Sequence, residues 1–197
     1  MQIKELIDNQ LDELTGYKQD PYYQKAVEIF KDYRITVNEK LKQFNDYMQS
    51  NGFHVLGSGI SGMAFEKPNY PWIFKIFTDD DGYLFYFNYA RANQNNPHVP
   101  KVKGGTIKIT PNTFLVRVEK LTNLSPAMHR SELVDLITSI EWPDDYTKEL
   151  RNIFVKNYPH VVPVLDAIIS SGYSLDLHMG NLMTRGNTLV ITDPLLG

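Results

Sequence analysis

Residues 53–77 read FHVLGSGISGMAFEKPNYPWIFKIF. Gly57, Gly59 and Gly62 form a G-x-G-x-x-G, which in a dinucleotide-binding unit would stand between a strand and a helix opening at the third glycine. Here Gly62 leads into Met-Ala-Phe-Glu and then Pro-Asn-Tyr-Pro. A helix cannot run through those prolines. The glycines therefore read as the turn of a β-hairpin, and the β-branched and aromatic run at 72–77 reads as the next antiparallel strand.

A glycine-rich hairpin turn is one of two things. It is a plain connection, or it is a flexible lid whose backbone N–H groups cover phosphates, with glycine used because a Cβ would hold the backbone away from the phosphate oxygens. On the second reading the amides of Gly57, Ser58, Gly59, Ile60, Ser61 and Gly62 are the ligands. Lys75 bears on the choice. A lysine inside the apolar run Trp-Ile-Phe-Lys-Ile-Phe is costly to bury without an anionic partner. It stands one strand after the loop, where an ammonium group reaches the α- and β-phosphates of a nucleotide. A solvent-facing lysine on a half-buried strand is the bland alternative.

On the N-terminal side, Ile3, Leu6, Ile7, Leu11 and Leu14 repeat at helical spacing. Asp20-Pro21 reads as a cap and first helical residue, opening a second helix expected to run to about Ser50. On the C-terminal side, 83–95 reads as a short inserted helix. The stretch 98–121 reads as two or three further strands, turning at Gly104-Gly105 and Pro111-Asn112. Helical periodicity returns over 130–140 and 144–171, with Pro159 and Pro163 bending the latter. A terminal hairpin, 182–184 and 189–192, turns at Arg185-Gly186-Asn187. Segregated strands and helices imply an α+β architecture.

The last stretch, SLDLHMGNLMTRGNTLVITDPLLG from Ser174, concentrates polar chemistry. Asp176 and Asn181 are five residues apart in a loop, and Asp193 follows the hairpin. Asn and Asp oxygens are hard ligands suited to Mg²⁺. A separate carboxylate, Asp176, can orient a hydroxyl and take its proton. Either Asp176 or Asn181 alone reads as a loop cap; the set together, downstream of the glycine loop and Lys75, reads as a site.

Composition narrows the classes. The chain has 197 residues, 42 % of them apolar, and a net charge of −3. A core is affordable in size, and the surface charge argues against a dedicated nucleic-acid binder and against polybasic membrane attachment. There is no cysteine, so disulfides and thiolate chemistry are excluded. Residues 1–14 do not read as a signal peptide, and no apolar run approaches the ~20 residues of a membrane span. A cytoplasmic protein is expected. His54, His98, His129 and His160 lack metal-ligand spacing and read as structural or surface residues.

Taken together, GSGISG, IFKIF, LDLHMGN and ITDP resemble, in that order, the glycine loop, strand lysine, catalytic loop and metal-binding acid of the protein-kinase-like superfamily. The order and spacing hold from Phe53 to Pro194. The narrower resemblance of GFHVLGSGISGMAF, LDLHMGNLM and VITDP is to the early serine/threonine protein kinases of T-seven-group bacteriophages. This resemblance implies a two-lobed fold. It divides the chain into an N-terminal helical segment, 1–50, an N-lobe with a five-stranded antiparallel sheet, 51–121, and a shortened helical C-lobe, 122–197. It also implies ATP and Mg²⁺ as cofactors and a protein serine/threonine kinase activity. Asp176, Lys75 and His178 are the implied catalytic residues, and Asn181 and Asp193 the implied metal ligands. The hinge is VRVEKL, with Glu119 and Leu121 offering backbone groups to adenine. Host proteins, among them transcription or RNA-processing machinery, would be the partners, in the host cytoplasm, with no nucleic acid or membrane involved.

The sequence also departs from the family. Ser174 stands where a histidine is usual. His178 stands where protein kinases carry lysine and where aminoglycoside and choline kinases carry histidine. Asp193-Pro194 replaces Asp-Phe-Gly. The inserted helix has no glutamate for Lys75, leaving Asp79, Asp80, Asp81 or Asp193 as its partner, and no activation segment follows Asp193. A small-molecule phosphotransferase and a pseudokinase-like module that inhibits a host protein are therefore kept as alternatives.

Overall fold

The computed structural model describes residues 20–59, 61–124, 149, 152, 155–156 and 158–196. The expected helices over 3–14 and 130–140, most of 144–157, Ile60 and His129 lie outside them. The chain divides into two compact units, Met1–Asp80 with Val102–Lys120, and Asp81–Lys101 with Leu121–Gly197.

In the first unit, α1 spans Pro21–Phe30 and α2 spans Val37–Ser50. The single helix expected to Ser50 is thus two. The Asp20 carboxylate accepts from the Tyr22 and Tyr23 amides at 2.8 and 3.2 Å, which starts α1. At 31–36 the chain turns, with Asp32 gripping the Arg34 guanidinium and amide. Thr36 and Glu39 then form a reciprocal capping box that starts α2. The box Thr-Val-Asn-Glu was present in the sequence and outweighs the continuing apolar stripe.

A five-stranded antiparallel sheet follows, in the order β1-β2-β3-β5-β4. Its strands are β1 His54–Ser58, β2 Gly62–Glu66, β3 Trp72–Thr78, β4 Ile107–Lys108 and β5 Thr113–Glu119. One sheet face packs Phe65, Phe74, Ile76 and Leu115 against Ala26, Ile29, Phe30, Leu41, Phe44 and Met48 of the helix pair. Alternation along each strand sends the remaining side chains to the other face.

In the second unit, α3 spans Asp81–Ala92, β6 Thr122–Asn123, α4 Val162–Ser170, β7 Leu182–Arg185 and β8 Thr188–Ile191. Pro159 opens a single 3₁₀ turn and Pro163 sits in the first turn of α4, where a missing N–H costs nothing. Strands β6, β7 and β8 form a second antiparallel sheet. The β7–β8 turn places Gly186 at φ +60°, a conformation that favours glycine. Tyr86, Ala90, Val99, Leu165, Ile168, Leu182, Leu189 and Ile191 share one core. Helix α3 thus contributes Tyr86 and Ala90 to this core. Among the described residues no helix is long and apolar enough to cross a membrane.

Candidate functional site

Each unit carries part of the expected site. In the first, the register pairs Gly57 with Ala64, Ala64 with Lys75, and Lys75 with Val116. Directly opposed residues share a face, so these four make one row across four strands. The row lies on the face away from α1 and α2, since the neighbouring row, Phe65 and Phe74, is in the helix-covered core. Lys75 is half-buried there, between buried Phe74 and Ile76 in sequence. Beside it, Gly57 and Ala64 put almost no side-chain bulk over the row. A bulge between Val55 and Gly57 brings the glycine into this register.

The three glycines are not equivalent. Gly62 pairs with Phe77, and a Cβ on it would lie 2.3 Å from the Ile76 carbonyl oxygen. A Cβ on Gly57 or Gly59 would have nothing within 4 Å, and neither has positive φ. Packing among the described residues therefore explains glycine at 62 and not at 57 or 59. The loop is closed by the Gly59 amide donating to the Gly62 carbonyl at 2.9 Å. At the far end of β5, the Lys120 amide donates to the Pro71 carbonyl. Strand alternation then turns the backbone groups of Glu119 toward the other edge. Asp79 is engaged locally: its carboxylate accepts from Asn112 Nδ2 at 2.7 Å and from Thr78 Oγ1 at 3.3 Å.

The second unit gathers the terminal constellation. Asn181 Nδ2 donates to the Asp176 carbonyl oxygen at 2.7 Å and to its carboxylate Oδ2 at 3.1 Å. Both neighbours are acceptors, so the amide nitrogen must face them. No described residue donates to Asn181 Oδ1, which is left as an open acceptor. The Asn181 carbonyl accepts from the Thr192 amide and from Thr192 Oγ1, both at 2.9 Å. The Asp176 amide donates to the Pro194 carbonyl at 2.8 Å. Asp193 is thereby bracketed: the residue before it is bonded to Asn181, the residue after it to Asp176. Thr192 and the Pro194 carbonyl were not singled out in the sequence, and only Thr192, next to Asp193, carried a side-chain signal.

His178 joins this group through its ring. Nδ1 accepts the Gly180 amide at 3.0 Å, so the proton of the neutral ring is on Nε2, which lies 3.7 Å from Asp176 Oδ1. A Cβ on Gly180 would stand 2.7 Å from His178 Cε1, so glycine is what lets the amide reach the ring. The Asp176 carboxylate thus has the Asn181 amide on one oxygen and the imidazole near the other.

The donor set fits Mg²⁺ as that ion is usually bound, by one or two carboxylates supplemented by water and phosphate oxygens. Asn181 Oδ1 and the Asp193 carboxylate are hard oxygen donors on adjoining segments. Among the described residues no group of three or more His, Asp or Glu side chains is placed to hold a metal, so a full protein cage is not on offer.

No protein-family model matches the chain, and no curated protein does. Solved structures do align. Rad53 in complex with AMP-PNP does so at a TM-score of 0.40 and 16 % identity, over 77 % of this chain and 42 % of that one. The streptomycin–ATP ternary complex of APH(2″)-IIa aligns at a TM-score of 0.36 and 14 % identity, over 83 % and 73 %. A thermostable mutant of aminoglycoside phosphotransferase APH(4)-Ia, in ternary complex with ADP and hygromycin B, aligns at a TM-score of 0.37 and 10 % identity, over 78 % and 72 %. The chain spans less than half of the Rad53 chain it aligns with.

Proposed function

We propose that the protein is an ATP-dependent phosphotransferase of the protein-kinase-like superfamily, acting on serine or threonine hydroxyls of proteins. The observation that carries this reading is the Asp176–Asn181 pair: the amide nitrogen holds the carboxylate and leaves an amide oxygen open, beside a chain segment presenting Asp193. A loop cap would have no need of the second acid or of the latch at Thr192.

The roles follow from the chemistry of each group. The glycine-loop amides other than that of Gly59, which closes the loop on the Gly62 carbonyl, bind the phosphates together with Lys75. Asn181 Oδ1 and Asp193 hold Mg²⁺, which supplies charge neutralisation on the phosphate oxygens when bound. Asp176 orients the acceptor hydroxyl and receives its proton as the new O–P bond forms and the β,γ-bridging O–P bond of ATP breaks. ADP leaves, and no covalent intermediate on the protein is needed. The resemblance quoted above extends the proposal to a phage early kinase that modifies host transcription or RNA-processing proteins in the host cytoplasm.

A small-molecule acceptor is the second reading, favoured by His178 at 3.7 Å from the Asp176 carboxylate. One experiment separates these readings. The protein is incubated with γ-³²P-ATP and Mg²⁺, against bacterial lysate proteins in one arm and amino-sugar antibiotics in the other, with Asp176→Ala as control. Label on protein that disappears in the control supports the proposal. Label only on the small molecule replaces it with the second reading. ATP binding without transfer in either arm overturns the enzymatic assignment.

A further inference from the structure

Helix α3 reaches the site through one buried hydroxyl. Tyr86 is 1 % exposed, and its Oη donates to the Ile191 carbonyl at 2.8 Å across 105 residues of sequence. The Ile191 amide donates to the His98 carbonyl at 3.0 Å. Residue 191 is therefore held on both sides. Residue 192 is held by Asn181 and residue 194 by Asp176. Residues 191, 192 and 194 are thus each fixed by a different partner, and Tyr86 contributes a side chain from outside the loop and hairpin. The phenol also feels the acid: burial, then Tyr89, then the Asp193 charge hold its proton on well above the ordinary tyrosine value. The hydroxyl therefore stays a donor throughout the working pH range.

We propose that Tyr86 is a positioning residue for Asp193, its hydroxyl setting the backbone from which that carboxylate is presented to a divalent cation. In this chain the inserted helix, which has no glutamate, serves the site from the acid side. The inference rests on the phosphotransfer reading for the identity of the cation.

The test is Mn²⁺ binding to the protein–ADP complex, followed by electron paramagnetic resonance, in wild type, Tyr86→Phe and Tyr89→Phe. Tyr89 is the matched control: it lies on the same helix and donates the same kind of bond, Oη to the Pro163 carbonyl at 2.8 Å. Tyr86→Phe is expected to raise the Mn²⁺ dissociation constant at least fivefold, and Tyr89→Phe to leave it within twofold. Unchanged Mn²⁺ affinity in Tyr86→Phe overturns the inference while leaving the proposed function intact, and so does an equal loss in both variants. If Tyr86→Phe does not fold, Tyr86→Met takes its place; failure of both to fold makes Tyr86 a core residue only and overturns the inference. Absence of Mn²⁺ and ADP binding in wild type removes the proposed function and this inference with it.

Discussion

The Gly62 backbone lies so close to the Ile76 carbonyl that a Cβ would stand 2.3 Å from that oxygen, whereas the same atom on Gly57 would touch nothing within 4 Å. One glycine of the loop therefore serves the fold; packing among the described residues does not account for the other, which the proposed phosphate-binding role would. Gly62→Ala is expected to destabilise by about 1–3 kcal/mol through overpacking against backbone, seen as a melting temperature lower by several degrees. Gly57→Ala is expected to melt within about 2 °C of wild type, because surface changes of this kind stay within about 0.5 kcal/mol. Its ATP titration should nevertheless weaken several-fold. Equal ATP affinity in Gly57→Ala and wild type would remove the loop from the binding site.

Among the described residues, the Asn181 side chain donates to Asp176 alone. Asn181→Ala is expected to cost about 1 kcal/mol of stability, the net worth of such bonds. Transfer should fall at least about 100-fold, because a misplaced catalytic group costs that much. Asn181→Asp would place a second carboxylate against the first. Like charges raise one of the two pKa values, so the acidic limb of the pH–rate profile should move upward. A pH profile identical to wild type would show that Asp176 is not the proton acceptor.

His98 makes a pH prediction for stability. Burial holds its imidazole below the ordinary value of 6.5; the bond to the Leu189 carbonyl opposes that shift, while His160 and Arg185 add to it. The ring is 2.9 Å from the Leu189 oxygen through Nδ1. The unfolded chain takes up the proton first, so stability is full above about pH 6.5 and falls as pH drops through the depressed folded value. Melting temperatures between pH 8 and pH 5 should decline more steeply for wild type than for His98→Gln. Parallel curves would place the acid sensitivity elsewhere.

Arg185 clasps the Pro97 and Val99 carbonyls at 3.0 Å each, tying the terminal hairpin to the segment after α3. Arg185→Ala removes two bonds donated by a charged group, each worth about 1.5–3 kcal/mol at most once water replaces it. The urea midpoint should shift down with an unchanged slope. Arg185→Lys, which lacks the guanidinium fork, should recover only part of that loss.

Much of this arrangement was written in side-chain patterns. Pro68 and Pro71 ruled out a helix after the glycine loop, and Gly186 marked the terminal turn. The division of 21–50 was misread because Phe30 and Val37 continue the apolar stripe, while the capping pair Thr36 and Glu39 fixes a new start. The allegiance of α3 could not be read: Tyr86 and Ala90 make the helix amphipathic, but amphipathicity does not say which core receives it. The clamps around Asp193 were also hidden. They run through the carbonyls of Ile191, Asn181 and Pro194, and every residue has a carbonyl.

The clamping of 191, 192 and 194 turns the β7–β8 hairpin into a ruler. Ten residues separate Asn181 from Thr192, and the chain must go out and return in that count for the two to meet. One extra residue inside either strand would send every following side chain to the opposite face and carry Asp193 out of place. Length can be varied only at the tip, around Gly186-Asn187, where a tag or an inserted loop could be accommodated without disturbing the chemistry at the other end.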